Sequence, residues 1–353
     1  MSGDAPAGDG YEPRLDVDGL GRWMDDQGLP GTGQPLAARF ITGGASNDLF
    51  EVARGEFRCA LRRPPDPVPA GRDATMLREH RLLVALADTD VPHPRVIAGC
   101  DDPSVVGGCF YLMEFVDGWS PIQEGAVWPE PFGSDLEARR GLAFELVDGI
   151  ARLSRVDWQA RGLEGFGRPD GFHERQVDRW LHHLDAVQFR PLPGIDQAAD
   201  WLRTHKPRTY RPGIMHGDYQ FANVMYHHGG PARLAAIVDW EMATVGDPLL
   251  DLGWVIQGWL DADEDRTTGS YVDYSDMPSR AELLDYYSAE SGRPTDDIDY
   301  YVILARFKLA VVLEAGYARV VKGTADNPKM EAFGAVVLSL AERAAELAST
   351  STL

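Results

Sequence analysis

The chain has 353 residues, 44% of them hydrophobic and 25% charged, which is ordinary globular composition with room for one large domain or two lobes. A formal net charge of −21 argues against a nucleic-acid binder, which needs a basic footprint, and against an anionic membrane surface. Three cysteines, Cys59, Cys100 and Cys109, are too few and too scattered for a disulfide framework or a zinc site, so a reducing, cytoplasmic setting is expected.

The start, MSGDAPAGDGYEP, has neither the basic nor the apolar region of a secretory signal, and its Gly, Pro, Asp and Ala content predicts disorder over the first dozen residues. No apolar run approaches the ~18 residues of a membrane span. Helical spacing runs over 15–29. LAARFIT, DLFEVAR and FRCALRR then read as three short strands, the first two separated by the Gly-rich turn GGASN. Residues 71–87 form an amphipathic helix whose apolar positions are Met76, Leu77, Leu82, Leu83 and Leu86. PRVIAGC and CFYLMEFV give two more strands. After DGWSP the pattern becomes helical, over 135–156, 173–188, 279–290, 298–321 and 329–348. LAAIVDW interrupts it as a short buried strand ending in an Asp. A small antiparallel sheet with one helix, then a larger helical part, is an α+β plan in two lobes, 1–117 and 118–353.

The chemistry concentrates in MHGDYQFANVMY (215–226). A carboxylate in a loop, Asp218, can accept a proton from a substrate hydroxyl. Asn223, five residues on, can offer its carbonyl oxygen to a hard cation, and Asp239 at the end of the next strand supplies a second oxygen. Mg²⁺ is commonly held by one or two protein oxygens plus phosphate and water. Asp and Asn are also ordinary turn residues, and it is IVDWE, whose Asp239 lies sixteen residues after Asn223, that separates the two readings.

HGDYQFANVMY followed by AIVDWEMATVGDPLLDLGW resembles the aminoglycoside phosphotransferase family, whose fold is protein-kinase-like. More narrowly, ITGGASNDLFEV, CALRRPPDPVPA and REHRLLVALADTDVPHPRVIAGCDDPSVVGGCFYLMEFVDG resemble the branch that includes the kinase-like domain fused to certain acyl-CoA dehydrogenases. The match runs from about residue 15 to about 345. It implies a small antiparallel-sheet N-lobe, a mainly helical C-lobe, and ATP (GTP left open) with Mg²⁺ as cofactors. On that resemblance Asp218 is the base that orients the acceptor hydroxyl, and Asn223 and Asp239 hold Mg²⁺. His216 is a hydrogen-bonded structural residue rather than a proton shuttle, since Asp218 already fills the base role. Asp251 braces the catalytic loop from a following helix. Glu241 supports the metal or lies near the acceptor.

In the N-lobe the resemblance makes Gly43, Gly44, Ala45, Ser46 and Asn47 a phosphate-covering turn, where a side chain would block close approach. Ala60 and Met225 sandwich the adenine, although as lone apolar residues both also read as core. Met113–Val116 becomes the hinge, Glu114 and Val116 pairing the adenine edge through their backbone. The strand position that carries Lys in kinases is Arg62 here. A guanidinium keeps the charge and can grip phosphate oxygens with two N–H groups. Glu79 is its expected partner, a solvent-facing pair with neighbouring Arg78 or His80 being the alternative. Opposite unit charges about 4 Å apart gain roughly 4 kcal/mol at an effective dielectric of ~20. Arg62 and Mg²⁺ can therefore locally outweigh the diffuse acidic surface.

The acceptor is a small-molecule hydroxyl, with an aminoglycoside and a hydroxyacyl compound as the two candidates. Asp261, Asp263, Glu264 and Asp265 suit the first, within an acidic stretch (261–276) that reads as a lid or as a solvated loop. Arg203, Lys206, Arg208 and Arg211 could serve an anionic thioester, or be an exposed basic loop. Trp254, Trp259, Tyr271, Tyr274, Tyr286, Tyr287 and Tyr317 read mostly as helical core. Two other functions fit less: a nucleotide-binding pseudokinase scaffold, prompted by Arg62, and a metal-dependent hydrolase. The hydrolase would need more ligands than the adjacent pairs His182-His183 and His227-His228 can place on one face.

Overall fold

In the computed structural model of the chain, residues 13–43, 47–121, 128–260 and 272–353 are described. The expectations placed on 1–12, on Gly44, Ala45 and Ser46, and on 261–271, Tyr271 and the four loop acids included, lie outside them. The chain forms two compact units. One gathers residues up to 118 with 161–163 and 235–241; the other gathers 119–160, 164–234 and 242–353.

The first unit opens with α1 (Val17–Asp26), whose N-cap Asp16 accepts from Gly19 N. A five-stranded antiparallel sheet follows, in the order β1 (Leu36–Gly43), β2 (Asp48–Arg54), β3 (Phe57–Arg63), β5 (Phe110–Glu114), β4 (Val96–Cys100). In β2, buried and half-buried positions alternate, so Phe50 and Val52 face the core. There they join Leu20 and Met24 of α1 with Leu61, Phe110 and Leu112. Each such side chain contributes about 1.5–3 kcal/mol by leaving water.

Between β3 and β4 lies α2 (Arg72–Leu86). It buries Met76, Leu82, Leu83 and Leu86 as expected, but Leu77 is exposed and Glu79 is buried in its place. Met76, Glu79, Leu83 and Leu86 follow the helical repeat; Leu77, one residue past Met76, falls about 100° off that stripe.

In the second unit, α3 (Leu136–Arg155) starts at Asp135, which caps Glu137 N and Ala138 N. Then come α4 (Phe172–Asp185), α5 (Ile195–Thr204) and the short strand β6 (Gly213–Met215). The remaining elements are β7 (Val224–Tyr226), β8 (Leu234–Ile237, which crosses into the first unit), β9 (Thr244–Gly246), α6 (Leu249–Gln257), α7 (Arg280–Ser291), α8 (Ile298–Val321) and α9 (Pro328–Thr350). β6 and β9 pair antiparallel, Gly213 opposite Gly246 and Met215 opposite Thr244. Every residue of α8 from Tyr300 to Val311 is buried, as a helix apolar all round should be. It packs on α9 and on α6, where Gly253 allows the approach: a Cβ there would stand 2.7 Å from the Tyr301 backbone.

Of the basic cluster only Arg203 lies in a helix, in the last turn of α5, whose buried stripe is Ile195, Ala198, Ala199 and Leu202, and it is ion-paired to Asp178 at 2.8 Å and Asp200 at 3.2 Å. Lys206, Arg208 and Arg211 follow in an exposed loop, as the loop reading had it. Trp254, Trp259 and Tyr287 are core residues. All three cysteines are buried and unpaired by disulfide. Among the described residues no helix is long and apolar enough to cross a membrane.

Candidate active site

The alternation of β3 gives its two arginines different fates. Arg63 is 3% exposed and spends its guanidinium on the carbonyls of Val106 and Arg14, so it is structural. Arg62 lies on the other face, where Nε donates to Glu79 at 3.1 Å and Nη2 to Asp239 at 2.8 Å. Glu79 is 1% exposed, which removes the solvent-facing alternative. Its second oxygen accepts from Trp240 N at 3.2 Å. Burial pushes the Glu79 carboxyl above its usual range, opposed by Arg62. Burial alone would lower Arg62, but Glu79, with Tyr111, Asp239 and Glu241, outweighs it and holds the guanidinium well above its usual value. The cation is therefore permanent.

Asp239 adopts φ +63°, one of three non-glycine residues with positive φ among those described, all of them Asp. That turn after β8 sends Trp240 into the core and presents the Asp239 carboxylate to Arg62. Glu241 accepts from Arg72 Nη1 at 3.0 Å and from Asn47 Nδ2 at 3.3 Å. Gly43 ends β1 and Asn47, 4% exposed, precedes β2. Ala60 is buried in β3 opposite Met113. Glu114 ends β5, its N–H committed to Arg95 O at 2.8 Å and its carboxylate to Arg95 Nε at 3.0 Å; Val116 follows, half-buried and beyond the ladder.

In the second unit the loop after β6 carries His216, Gly217 and Asp218, all buried. Gly217 sits at φ +86°, and a Cβ there would stand 2.6 Å from Met242 O, so glycine is required. His216 Nδ1 accepts from Asp218 N at 3.3 Å, a structural bond. Both Asp218 oxygens are held by amides: Gln220 Nε2 at 3.0 Å on Oδ1 and Asn223 Nδ2 at 3.2 Å on Oδ2. Asn223 Nδ2 also donates to Asp218 O at 2.7 Å. Met225 lies half-buried in β7.

Two buried charges hold this loop. Asp251 of α6 accepts from His216 N at 2.6 Å and Gly217 N at 2.8 Å. Burial raises its pKa, while His216, the two amides and Lys308 pull it back. Lys308 of α8, 6% exposed, donates to Gly217 O and stands 4.3 Å above the Trp254 ring. Burial lowers the Lys308 pKa, and Asp218 and Asp251 oppose that.

In the second unit Asn223 has its amide nitrogen committed to Asp218, which leaves Oδ1 as an oxygen donor of the kind a hard cation takes. In the first unit Asp239 is a carboxylate of the same hard-donor kind. Among the described residues no group of three or more His, Cys, Asp or Glu is placed to hold a metal ion.

Residues 37–286 match the family described as "Phosphotransferase enzyme family" (APH). The chain belongs to this family. Among solved structures, a putative aminoglycoside phosphotransferase from Ralstonia eutropha superposes with a TM-score of 0.82 and 31% identity over 96% of this chain and 100% of that one. Aminoglycoside phosphotransferase APH(4)-Ia, in ternary complex with ADP and hygromycin B, shares the fold at TM-score 0.58 and 12% identity over 94% of this chain and 98% of that one. Among sequence relatives, acyl-CoA dehydrogenase family member 11 of Gallus gallus is 30% identical over 346 residues, 95% of this chain and 44% of that protein. The chain spans less than half the length of the curated relatives it matches. Its fold is α+β and kinase-like, and its class is that of a small-molecule phosphotransferase.

Sequence reasoning reached Arg62, Glu79, Asp218, Asn223, Asp239 and Asp251 but passed over Gln220, Arg72 and Lys308. Lys308 had a signal. Arg306, Lys308 and Glu314 share no polar stripe in an otherwise apolar helix, so each had to be buried with a partner.

Proposed function

We propose that the chain transfers the terminal phosphate of ATP, with Mg²⁺, to a hydroxyl of a small molecule. The observation that carries this is the Asp218 carboxylate, held on both oxygens by Gln220 and Asn223 above a loop pinned by Asp251 and Lys308. In this reading Asp218 orients the acceptor hydroxyl and takes its proton as the acceptor O–P bond forms and the bond from the γ-phosphorus to the β–γ bridging oxygen breaks, releasing ADP. Asn223 and Asp239 would hold Mg²⁺, which would neutralise phosphate charge. Arg62, set by Glu79, binds phosphate oxygens. Gly43 and Asn47, which border the Gly-rich stretch, would lie against the phosphates, Ala60 and Met225 would flank the adenine, and the backbone of Glu114 and Val116 would pair with its edge. The segment up to 117 then serves the nucleotide, and 118–353 supplies catalytic loop and acceptor site.

For the acceptor, the relatives named as acyl-CoA dehydrogenases favour a hydroxyacyl compound, and the Ralstonia neighbour's description favours an aminoglycoside. The test is transfer from γ-labelled ATP and, separately, GTP to a panel of hydroxyacyl acids, their CoA thioesters, aminoglycosides, sugars and choline-like alcohols. Asp218→Ala should lower transfer by roughly 10²–10⁴-fold. Wild-type turnover in that variant would refute the base assignment. Nucleotide binding with no acceptor labelled would favour a scaffold.

A further inference from the structure

Within the first unit, residues 239–241 are flanked by two guanidiniums. Arg62 is bonded to Asp239 and Arg72 to Glu241. The Glu241 oxygen that takes Arg72 also takes Asn47, the residue just before β2. Arg72 opens α2 seven residues before Glu79, the partner of Arg62. At 1.5 Å per residue the two helix positions stand about 10 Å apart along the axis. Glu241 is sunk at 8% exposure, whereas the Arg72 side chain retains 27%. The buried carboxylate thus holds Arg72 through Nη1, on a side chain that is itself only partly buried. Charge points the same way. Glu79, Asp239 and Glu241 face Arg62 and Arg72, leaving an excess of one negative charge. Without Arg72 the excess would be two, a poor start for a site that must take a polyanion.

We propose that Arg72 is a second phosphate-binding arginine, which contacts the terminal phosphate of the bound nucleoside triphosphate, and that Glu241 positions it. This rests on the nucleotide-site reading above and deepens it. A planar fork suits a phosphate's oxygens better than an ammonium does. Arg62 and Arg72 then divide the triphosphate between them, and only a ligand with the γ-phosphate engages Arg72.

The test is calorimetric titration, with Mg²⁺ present, of the non-hydrolysable triphosphate AMP-PNP, of ADP and of AMP into the full chain, its Arg72→Ala form and its Arg72→Lys form. One charged hydrogen bond predicts that Arg72→Ala weakens AMP-PNP about 10- to 100-fold while ADP and AMP stay within about twofold. Arg72→Lys should fall between, since it keeps the charge and loses the fork; it also serves if the Ala variant melts early. Equal weakening of AMP-PNP and ADP, or of neither, with wild-type binding intact, overturns this role alone. A wild-type chain that binds none of the three overturns the nucleotide site and this role with it.

Discussion

Removal of the Asp251 carboxylate tests most directly whether α6 pins the 216–218 loop. Its oxygens accept from His216 N at 2.6 Å and from Gly217 N at 2.8 Å, and the side chain is 2% exposed, so water cannot replace it without opening the unit. Each buried N–H left without an acceptor costs about 1–3 kcal/mol, and the pair therefore about 2–6 kcal/mol. Lys308 also loses one of the carboxylates that face it, which adds in the same direction. Against a total stability of about 5–15 kcal/mol, Asp251→Ala should be severely destabilised. Asp251→Asn keeps the shape and one carbonyl oxygen but turns an N–H₂ toward an N–H, so a single amide is orphaned, at about 1–3 kcal/mol. The order wild type, Asn, Ala is read from urea unfolding followed by tryptophan fluorescence and circular dichroism. An Ala variant within about 0.5 kcal/mol of wild type would mean that the two amides find other acceptors and that α6 does not pin the loop.

Two further outcomes follow from buried polar groups. Burial holds the folded pKa of Lys308 below its ordinary 10.5. The unfolded chain therefore binds more protons between the folded value and 10.5, and stability rises with pH across that window. Lys308→Met should flatten the rise; parallel stability–pH curves for the two proteins would contradict a buried ammonium. Tyr301 OH donates at 2.6 Å to Asp247, a fully buried carboxylate that His173 Nε2 also reaches at 2.9 Å. Tyr301→Phe should lose about 1.5–3 kcal/mol, the worth of a hydrogen bond to a charged group. An unchanged denaturation midpoint would show that Asp247 does not depend on that hydroxyl.

The elements were legible wherever local pattern and tertiary burial agree. The alternation in DLFEVAR is the burial alternation of β2, and FRCALRR is β3 residue for residue. The motif residues were legible because their chemistry needs particular side chains at short separations: Asp218 and Asn223 share one loop, and Asn223 bonds the carboxylate it follows. Where partners are distant in sequence, pattern was silent. Nothing near residue 72 announces Glu241, and nothing near 217 announces a lysine 91 residues away. α5 was lost for a different reason. Its stripe of Ile195, Ala198, Ala199 and Leu202 spans only about two turns, too short to stand out as a helical repeat. Leu77 was misplaced because an apolar residue adjacent to the stripe was counted with it, although helix geometry points it outward.

The pinning of the 216–218 loop has a consequence for how such a protein can change its substrate. The polar ties of that loop run to α6 and α8, to side chains that lie inside the second unit and away from solvent. Residues that select an acceptor must instead be reachable from outside. On the proposed function, the loop's ties and the positions that choose an acceptor would then be separate sets, so that selection could redirect such a scaffold toward a new acceptor without touching the bonds to Asp251 and Lys308.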